Sequence, residues 1–214
     1  MLTTHIDHIV IVAPTLADGV EHVRQCLGVT PQPGGEHPRM GTHNALLKLG
    51  DELFLEVMAV NPAAPGPARP RWFDLDRLAP DAAPRLATWV ARTTDIRAAV
   101  AASPVPLGET EPMTRGALNW LITIPCDGSL PLDGVAPTLI EWHNGPHPAK
   151  NLQDQGCSLV RLEGLHQQAG KVSDLLQSTG FQGDFFVYPV APGERPGLVA
   201  HIRTPGGLRV LRAA

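Results

Sequence analysis

The chain has 214 residues, of which 43% are hydrophobic and 18% charged, a balance typical of a folded globular protein. Its formal charge is -4, and its lysines and arginines form no run of the kind that binds a nucleic-acid backbone. No stretch approaches the roughly 20 apolar residues that span a bilayer, and the N-terminus shows no signal segment. We therefore expect a cytoplasmic protein with no nucleic acid and no membrane among its partners.

The first predicted module begins with the β-branched run His5–Val12, which indicates a strand. Thr15 can then cap a helix over Leu16–Leu27, where apolar residues recur at helical spacing, and Gly28 can end it. Two apolar runs meet at a turn beginning with Gly50, which is a hairpin signal. The predicted order is one strand, one helix and about three further strands.

The second predicted module repeats this order. Leu86–Thr93 is predicted to be a strand, and Asp95 is placed to cap a helix over Ile96–Ala102. Three more strand candidates follow at Glu109–Met113, Leu118–Ile124 and Thr138–His143. The recurrence of strand, helix and three strands indicates an internal duplication within an α+β protein.

The same order returns a third time from Ser158, but without a glutamate in the last strand. We expect this copy to be a partial or degenerate module that covers an open sheet edge. Between the first two copies lies a segment rich in Pro and Ala, which is predicted to cross the surface and to be anchored by Trp72 and Phe73. The predicted divisions, all within one domain, are a first module at 1–62, a connector at 63–85, a second module at 86–150 and a C-terminal extension at 151–214.

Two glutamates occupy equivalent places in the duplicated pattern, since aligning LFLEVMAVNP with TLIEWHNGP sets Glu56 against Glu141. A carboxylate with apolar neighbours in a strand is costly to bury unless it is paired or bound to a metal. A single such glutamate would more often face solvent, and His8 alone would more often be a hydrogen-bonded core histidine. Taken together, His8, Glu56 and Glu141 form a nitrogen and oxygen ligand set suited to Zn²⁺, Fe²⁺, Mn²⁺ or Ni²⁺.

A second group of candidates lies in the segment Gly34–Asn44, which places His37, Thr42 and Asn44 close together in the chain. Such a loop could orient a carboxylate or a carbonyl group of a substrate. The alternative is a turn and strand entry in which Thr42 and Asn44 satisfy local backbone groups. Further candidates for a pocket rim are Trp142, His143 and His147, whereas Trp120 is assigned to the core.

The motifs IDHIVIVAPTL, FLEVMA and LIEW resemble the vicinal oxygen chelate superfamily, which includes glyoxalase I, extradiol dioxygenases and bleomycin-resistance proteins. The resemblance implies paired βαβββ modules in a cupped, barrel-like mixed sheet, with a metal held by residues from the first and last strand of each module. His8, Glu56 and Glu141 match three of those positions, while Thr88 stands at the fourth and would line the substrate site. GGEHPRMGTHNALLKLGDELFLEVMA and IEWHNGPHPA are similar, more narrowly, to glyoxalase-like domain proteins.

This resemblance implies a metal-dependent isomerase or lyase that acts on a small oxygen-bearing molecule. A divalent metal (Zn, Ni, Fe or Mn) would act as a Lewis acid, and Glu56 or Glu141 would be the general base. The alternatives are a metal-free protein that binds and sequesters a small molecule, and a purely structural or regulatory homo-oligomer. The sequence leaves the substrate open and is compatible with a homodimer.

Overall fold

The computed structural model describes residues 2–213 of the chain. The first module contains β1 (Thr4–Val12), α1 (Leu16–Leu27), β2 (Gln32–His37), β3 (Thr42–Gly50) and β4 (Leu53–Val60). The second contains β5 (Arg85–Thr93), α2 (Ile96–Ala102), β6 (Glu109–Arg115), β7 (Leu118–Ile124) and β8 (Thr138–Asn144). The C-terminal part contains β9 (Ser158–Leu165), α3 (Ala169–Ser178), β10 (Phe185–Tyr188), β11 (Gly197–Thr204) and β12 (Gly207–Arg212). Short 3-10 helices lie at Leu75–Arg77, Pro131–Gly134 and Pro148–Asn151.

The first two helices begin where their capping residues predict. The side chain of Thr15 accepts a hydrogen bond from the backbone N–H of Asp18 at 3.1 Å, which satisfies a free donor in the first turn of α1. The Asp95 carboxylate does the same for Ala98 in α2, at 2.9 Å. At its other end α1 stops at Gly28, whose φ of 74° is easily adopted by glycine. The predicted boundaries of both helices are confirmed.

The two modules share one curled sheet of eight strands in the order β2-β3-β4-β1-β5-β8-β7-β6. Within each module the first strand lies parallel to the last, β1 with β4 and β5 with β8. The modules join through the antiparallel pair β1 and β5 at the centre of the sheet. Because the sheet curls, its two edge strands, β2 and β6, contact each other and a cup forms inside it. The predicted α+β class and the cupped arrangement are confirmed.

The C-terminal strands form a separate sheet in the order β10-β9-β11-β12. Here the first strand, β9, pairs with β10 and β11, so the repeated element order does not reproduce the sheet order of the other modules. The expectation that this extension covers a sheet edge is wrong, because its strands pack across the outer face of β5. There the Trp89 ring lies 4.7 Å from that of Phe185, and the indole donates to the carbonyl of Val135 at 2.9 Å.

The connector reaches the inside of the cup. Trp72 and Phe73 are 3% and 4% exposed and pack on Trp120 and Met58 in an inner hydrophobic core. Phe73 and Asp74 both have a φ of 58°, a left-handed conformation that is unusual for a bulky residue such as phenylalanine. The predicted anchoring by the two rings is confirmed, and the rings partly fill the cup. No helix among residues 2–213 is long and apolar enough to cross a membrane.

Candidate active site in the cup

A small cavity of about 30 Å³ remains inside the cup, which is room for about one water molecule. Its polar lining consists of His8, His37, Asn44, Glu56 and Arg115, and its aromatic lining of Phe54, Trp72, Phe73, Trp120 and Trp142. Every polar group except Arg115 belongs to the first module. Charged groups in an aromatic cavity are expensive to bury, so each of them needs partners or a function.

Asp7 is the deepest charged group of the site, with no exposed surface. Its Oδ1 lies 2.6 Å from Nδ1 of His8, and its Oδ2 accepts a hydrogen bond from the indole of Trp142 at 2.9 Å. Nε2 of His147 lies 3.0 Å from the same Oδ2, while Nδ1 of His147 accepts from the backbone N–H of Ala149. The proton of that imidazole therefore sits on Nε2 and is donated to Asp7. Three donors thus hold one buried carboxylate.

A β-bulge explains how neighbouring side chains in β1 can meet. The pairing of β1 with β5 shifts register between Ile6 and His8, which leaves Asp7 as the extra residue. Regular alternation would put Ile6 and His8 on one face, but Ile6 belongs to the outer core and His8 lines the cavity. The bulge redirects the Asp7 carboxylate to His8, and sequence periodicity gives no signal of it.

His8 and Glu56 face each other across the parallel pair of β1 and β4. Nε2 of His8 lies 3.5 Å from Oε2 of Glu56, and the imidazole stacks on Phe54 with ring centroids 4.5 Å apart. Oε1 of Glu56 accepts a short hydrogen bond from the side-chain amide of Asn44. Asp7, His8, Glu56 and Asn44 therefore form one continuous polar chain that ends in the cavity.

The charges of Asp7, His8 and Glu56 depend on one another. Burial lowers the pKa of His8, but the hydrogen bonds and negative charges of Asp7 and Glu56 outweigh burial and raise it to about 9. Burial opposes ionisation of Glu56, yet the positive charge of His8 and the amide of Asn44 keep its pKa below the ordinary value. Burial likewise opposes the charge of Asp7, and the bonds from His147 and His8 lower its pKa. At neutral pH the site holds an imidazolium between two carboxylates.

His37 is the uncharged histidine of the cavity, because burial lowers its pKa to about 4. A guanidinium only donates, so Nε2 of His37 accepts from Nη1 of Arg115 at 3.3 Å. Its Nδ1 carries the proton and lies 3.2 Å from Oγ1 of Thr42. The contact between His37 and Arg115 joins the edge strands β2 and β6. Thr42 therefore supports His37. Asn44 makes two hydrogen bonds, since it accepts from the backbone N–H of Gly35 at 2.7 Å and donates to Glu56.

The segment that we interpreted as a loop belongs largely to β2 and β3, with a turn between them. Position 34 of this segment needs a glycine for a steric reason. A Cβ atom at Gly34 would lie 2.0 Å from Oδ1 of Asn44, far inside any allowed contact. Asn44 satisfies a local backbone group through Oδ1, as the second alternative has it, and its Nδ2 also donates to Glu56; orientation of a substrate group stays a prediction.

Glu141 does not join this site, and the expectation that it shares a ligand set with His8 and Glu56 is wrong. In β8 it pairs with Leu121, which packs on the outer core, whereas Ile140 and Trp142 face the cup. Its Oε2 accepts from the backbone N–H of Ile96 at the start of α2, at 2.7 Å. This helix terminus is the partner of that carboxylate oxygen. Because side chains alternate along a strand, a shift of one residue puts every side chain of that strand on the opposite face of the sheet.

Two further predicted site residues lie outside the cavity. His143 is exposed and contacts Oε1 of Glu141 at 3.1 Å. Thr88 is fully buried in β5, and its hydroxyl donates to the carbonyl of Trp89 at 3.4 Å. Neither side chain lines the cavity. The substrate-binding expectation therefore remains open for His37 and Asn44 as lining groups, with Thr42 behind them.

The residues present do not fit the metal centre that the superfamily implies. His8 Nε2 and Glu56 are adjacent, but Glu141 lies on the opposite face of the sheet and Thr88 does not line the cavity. Within residues 2–213 no group of three or more His, Cys, Asp or Glu side chains could hold a metal ion. A structural zinc site has four protein ligands, and a catalytic zinc site has three and an open position. His8, Glu56, Glu141 and Thr88 therefore do not form such a centre.

Comparison with a solved structure supports the fold. A hypothetical protein from Staphylococcus aureus matches with a TM-score of 0.56 and 15% identity, covering 98% of this chain and 84% of that chain. Methylmalonyl-CoA epimerase from Mycobacterium tuberculosis matches with a TM-score of 0.44 and 17% identity, covering 66% of this chain and 88% of that chain. Identities this low concern the fold alone. No curated protein sequence matches the chain.

Paired βαβββ modules around a cup are the arrangement of the vicinal oxygen chelate superfamily. Residues 6–180 match the family model described as a glyoxalase-like domain, so the chain belongs to that family. The match covers both modules and extends through β9 and α3. The resemblance inferred from the motifs is confirmed at the level of superfamily and family.

Proposed function

We propose that the cup binds a small oxygen-bearing molecule and that Glu56 accepts a proton from it, in isomerase or lyase chemistry that needs no resident metal. The observation that supports this proposal is the buried chain of Asp7, His8 and Glu56, whose end faces the cavity. An ion pair so buried is weak evidence of stability, because apolar residues of similar volume often serve the fold as well or better. Perturbed charges in a cavity are instead typical of functional sites.

The reaction step conserves atoms and charge as follows. Glu56 removes a proton from a carbon next to a carbonyl group of the ligand, and the electron pair of the broken C–H bond becomes an enolate. The imidazolium of His8 lies beside Glu56 and supplies a positive charge to the developing oxyanion. Return of the proton to another atom gives an isomer, whereas departure of a group from the neighbouring carbon gives a lyase reaction.

The roles of the remaining residues follow from their contacts. Asp7 keeps His8 charged and fixes its ring orientation, much as a carboxylate orients a catalytic histidine in other enzymes. Asn44 fixes the other oxygen of Glu56. A carboxylate with a lowered pKa is a weak base, so the cavity has to increase the acidity of the ligand. The cationic groups His8 and Arg115 are the ones in place to do so.

Proton–deuterium exchange tests the proposal. Small carbonyl compounds (pyruvate, 2-oxobutyrate, phenylpyruvate and their methyl esters) are incubated with the protein in D₂O, and loss of the C–H signal is followed by ¹H NMR. We expect catalysed exchange of at least one compound in wild type and a fall of about 100-fold or more in Glu56→Gln, because removal of a general base costs this much.

Glu163→Gln is the matched control, since Glu163 lies on the second sheet, where it contacts His201 and Arg161. We expect that variant to exchange at the wild-type rate. Saturable binding of a compound without any catalysed exchange would contradict the proposal and favour a protein that sequesters its ligand. Equal exchange by wild type and Glu56→Gln would also contradict it.

A further inference from the structure

One buried hydrogen-bond donor in the cup has no partner. Nε1 of Trp72 is buried and bonds to no atom of residues 2–213, whereas the indoles of Trp89 and Trp142 donate to Val135 and Asp7. An indole N–H can only donate, so its partner has to bring an acceptor. Trp72 lines the cavity together with Glu56 and Arg115. A buried donor without a partner is rare in folded proteins and indicates a missing acceptor.

Arg115, which lines the same cavity as Trp72, is a cation without an anionic partner among the described residues. It is half-buried, and its one side-chain hydrogen bond among the described residues is to the neutral His37. Two other arginines behave differently, since Arg39 and Arg69 both bind the carboxylate of Glu111. The charge of Arg115 is therefore not neutralised by an ion pair in residues 2–213. A guanidinium carries five N–H donors in a planar fork that matches a carboxylate.

We infer that the ligand of the cup carries a carboxylate, which binds to the guanidinium of Arg115 and the indole N–H of Trp72. This inference rests on the proposed function, because it assumes that the ligand enters the same cavity. The carboxylate would lie at the Arg115 side, and the reacting carbon would face Glu56. The negative charges of Asp7 and Glu56 are balanced by the positive charges of His8 and Arg115 together, so a second anion meets no net negative charge.

The small volume of the cavity restricts the ligand class. At about 30 Å³ the space does not admit a whole ligand unless lining side chains shift. A single guanidinium with one indole donor suits the two oxygens of a carboxylate better than the three oxygens and higher charge of a phosphate group. Small 2-oxo acids combine a carboxylate with an acidic C–H bond two atoms away. They are therefore the probes that fit both ends of the cavity.

The Trp72 indole proton provides a direct test. In ¹⁵N-labelled protein its Nε1–H resonance is assigned by its absence in Trp72→Phe, and wild type is then titrated with pyruvate, 2-oxobutyrate and phenylpyruvate and with their methyl esters. We expect a saturable downfield shift with at least one acid and at least tenfold weaker binding of its ester. Arg115→Gln should weaken binding of the acid about tenfold or more.

Arg209→Gln, on β12, is the matched control and should bind the acid as wild type does. A resonance that moves with no acid, or equally with acid and ester, would overturn the inference, as would an equal shift with inorganic phosphate.

Failure of the proposed function looks different: the acid binds, but no C–H exchange is catalysed. If Glu56→Gln binds the acid normally and has lost exchange, the proposed function and the carboxylate inference are both supported. If wild type exchanges ester and acid equally fast, only the carboxylate inference fails.

Discussion

At the scale of single residues, the site divides into groups that sequence patterns can find and groups that they cannot. His8 and Glu56 were predictable, because a polar residue in an otherwise apolar strand breaks the pattern. Asp7 was not, since the bulge in β1 turns it toward His8 against the regular alternation. Trp72 and Arg115 were missed as well. Their signal is a buried donor and an unpaired cation, and both require the packed structure to be recognised.

The pKa of His8 yields a prediction about pH. Because its pKa in the folded protein is raised to about 9 from 6.5, the contribution of His8 to the free energy of unfolding is fully present below pH 6.5 and is lost as the pH rises through about 9. An NMR titration of the His8 ring should show a midpoint near 9. Asp7→Asn should move that midpoint toward 6.5, because it removes a contacting negative charge.

Asp51→Asn serves as the control for this titration, since Asp51 is exposed and contacts only Lys48. Its substitution should leave the midpoint of His8 unchanged. A wild-type midpoint at or below 6.5 would contradict the proposed charge state of the site.

At the scale of elements, local signals predicted the helices well, because caps such as Thr15 and Gly28 act within one turn. The strand β2 was interpreted as part of a loop because it contains Pro33 and two glycines, which an edge strand tolerates. The facing of Glu141 was also missed, since it depends on pairing with β7, a contact that sequence alignment of the two modules does not report.

Gly34 gives a prediction about how β2 supports the site. In Gly34→Ala the new methyl group would collide with Oδ1 of Asn44, so Asn44 has to move and release Glu56. We expect catalysed exchange to fall by about tenfold or more, on the scale of one lost positioning hydrogen bond. Gly66→Ala is the control, because a Cβ there meets open space. Equal rates in the two variants would show that Asn44 does not position Glu56.

At the scale of the whole molecule, the C-terminal sheet contributes to one shared core with the paired modules. Buried side chains of β11, including Leu198 and Ile202, pack in the same outer cluster as Trp89 of β5. The sequence revealed the third repeat of the element order but not its sheet order, because strand pairing over long distances has no local signature. The extension therefore supports the outer face of the sheet whose inner face forms the site.

Two leucine substitutions in this sheet test the shared core. Leu198→Ala removes a side chain that is 1% exposed and should lower the free energy of unfolding by about 2–5 kcal/mol. Leu208→Ala removes one that is 57% exposed and should change it by about 0.5 kcal/mol or less. In urea both variants should unfold in a single transition by tryptophan fluorescence and far-UV circular dichroism. Two separate transitions would show that the C-terminal sheet folds as an independent unit.

The most direct test of the whole account compares the two duplicated glutamates. Glu56→Gln and Glu141→Gln are assayed side by side for catalysed C–H exchange, each after treatment with a chelator. We predict a loss of about 100-fold or more for Glu56→Gln only, because Glu56 alone faces the cavity while Glu141 binds the start of α2. Comparable losses in both variants, with activity restored to chelated wild type by a divalent metal, would contradict the account and favour a metal centre shared by both glutamates.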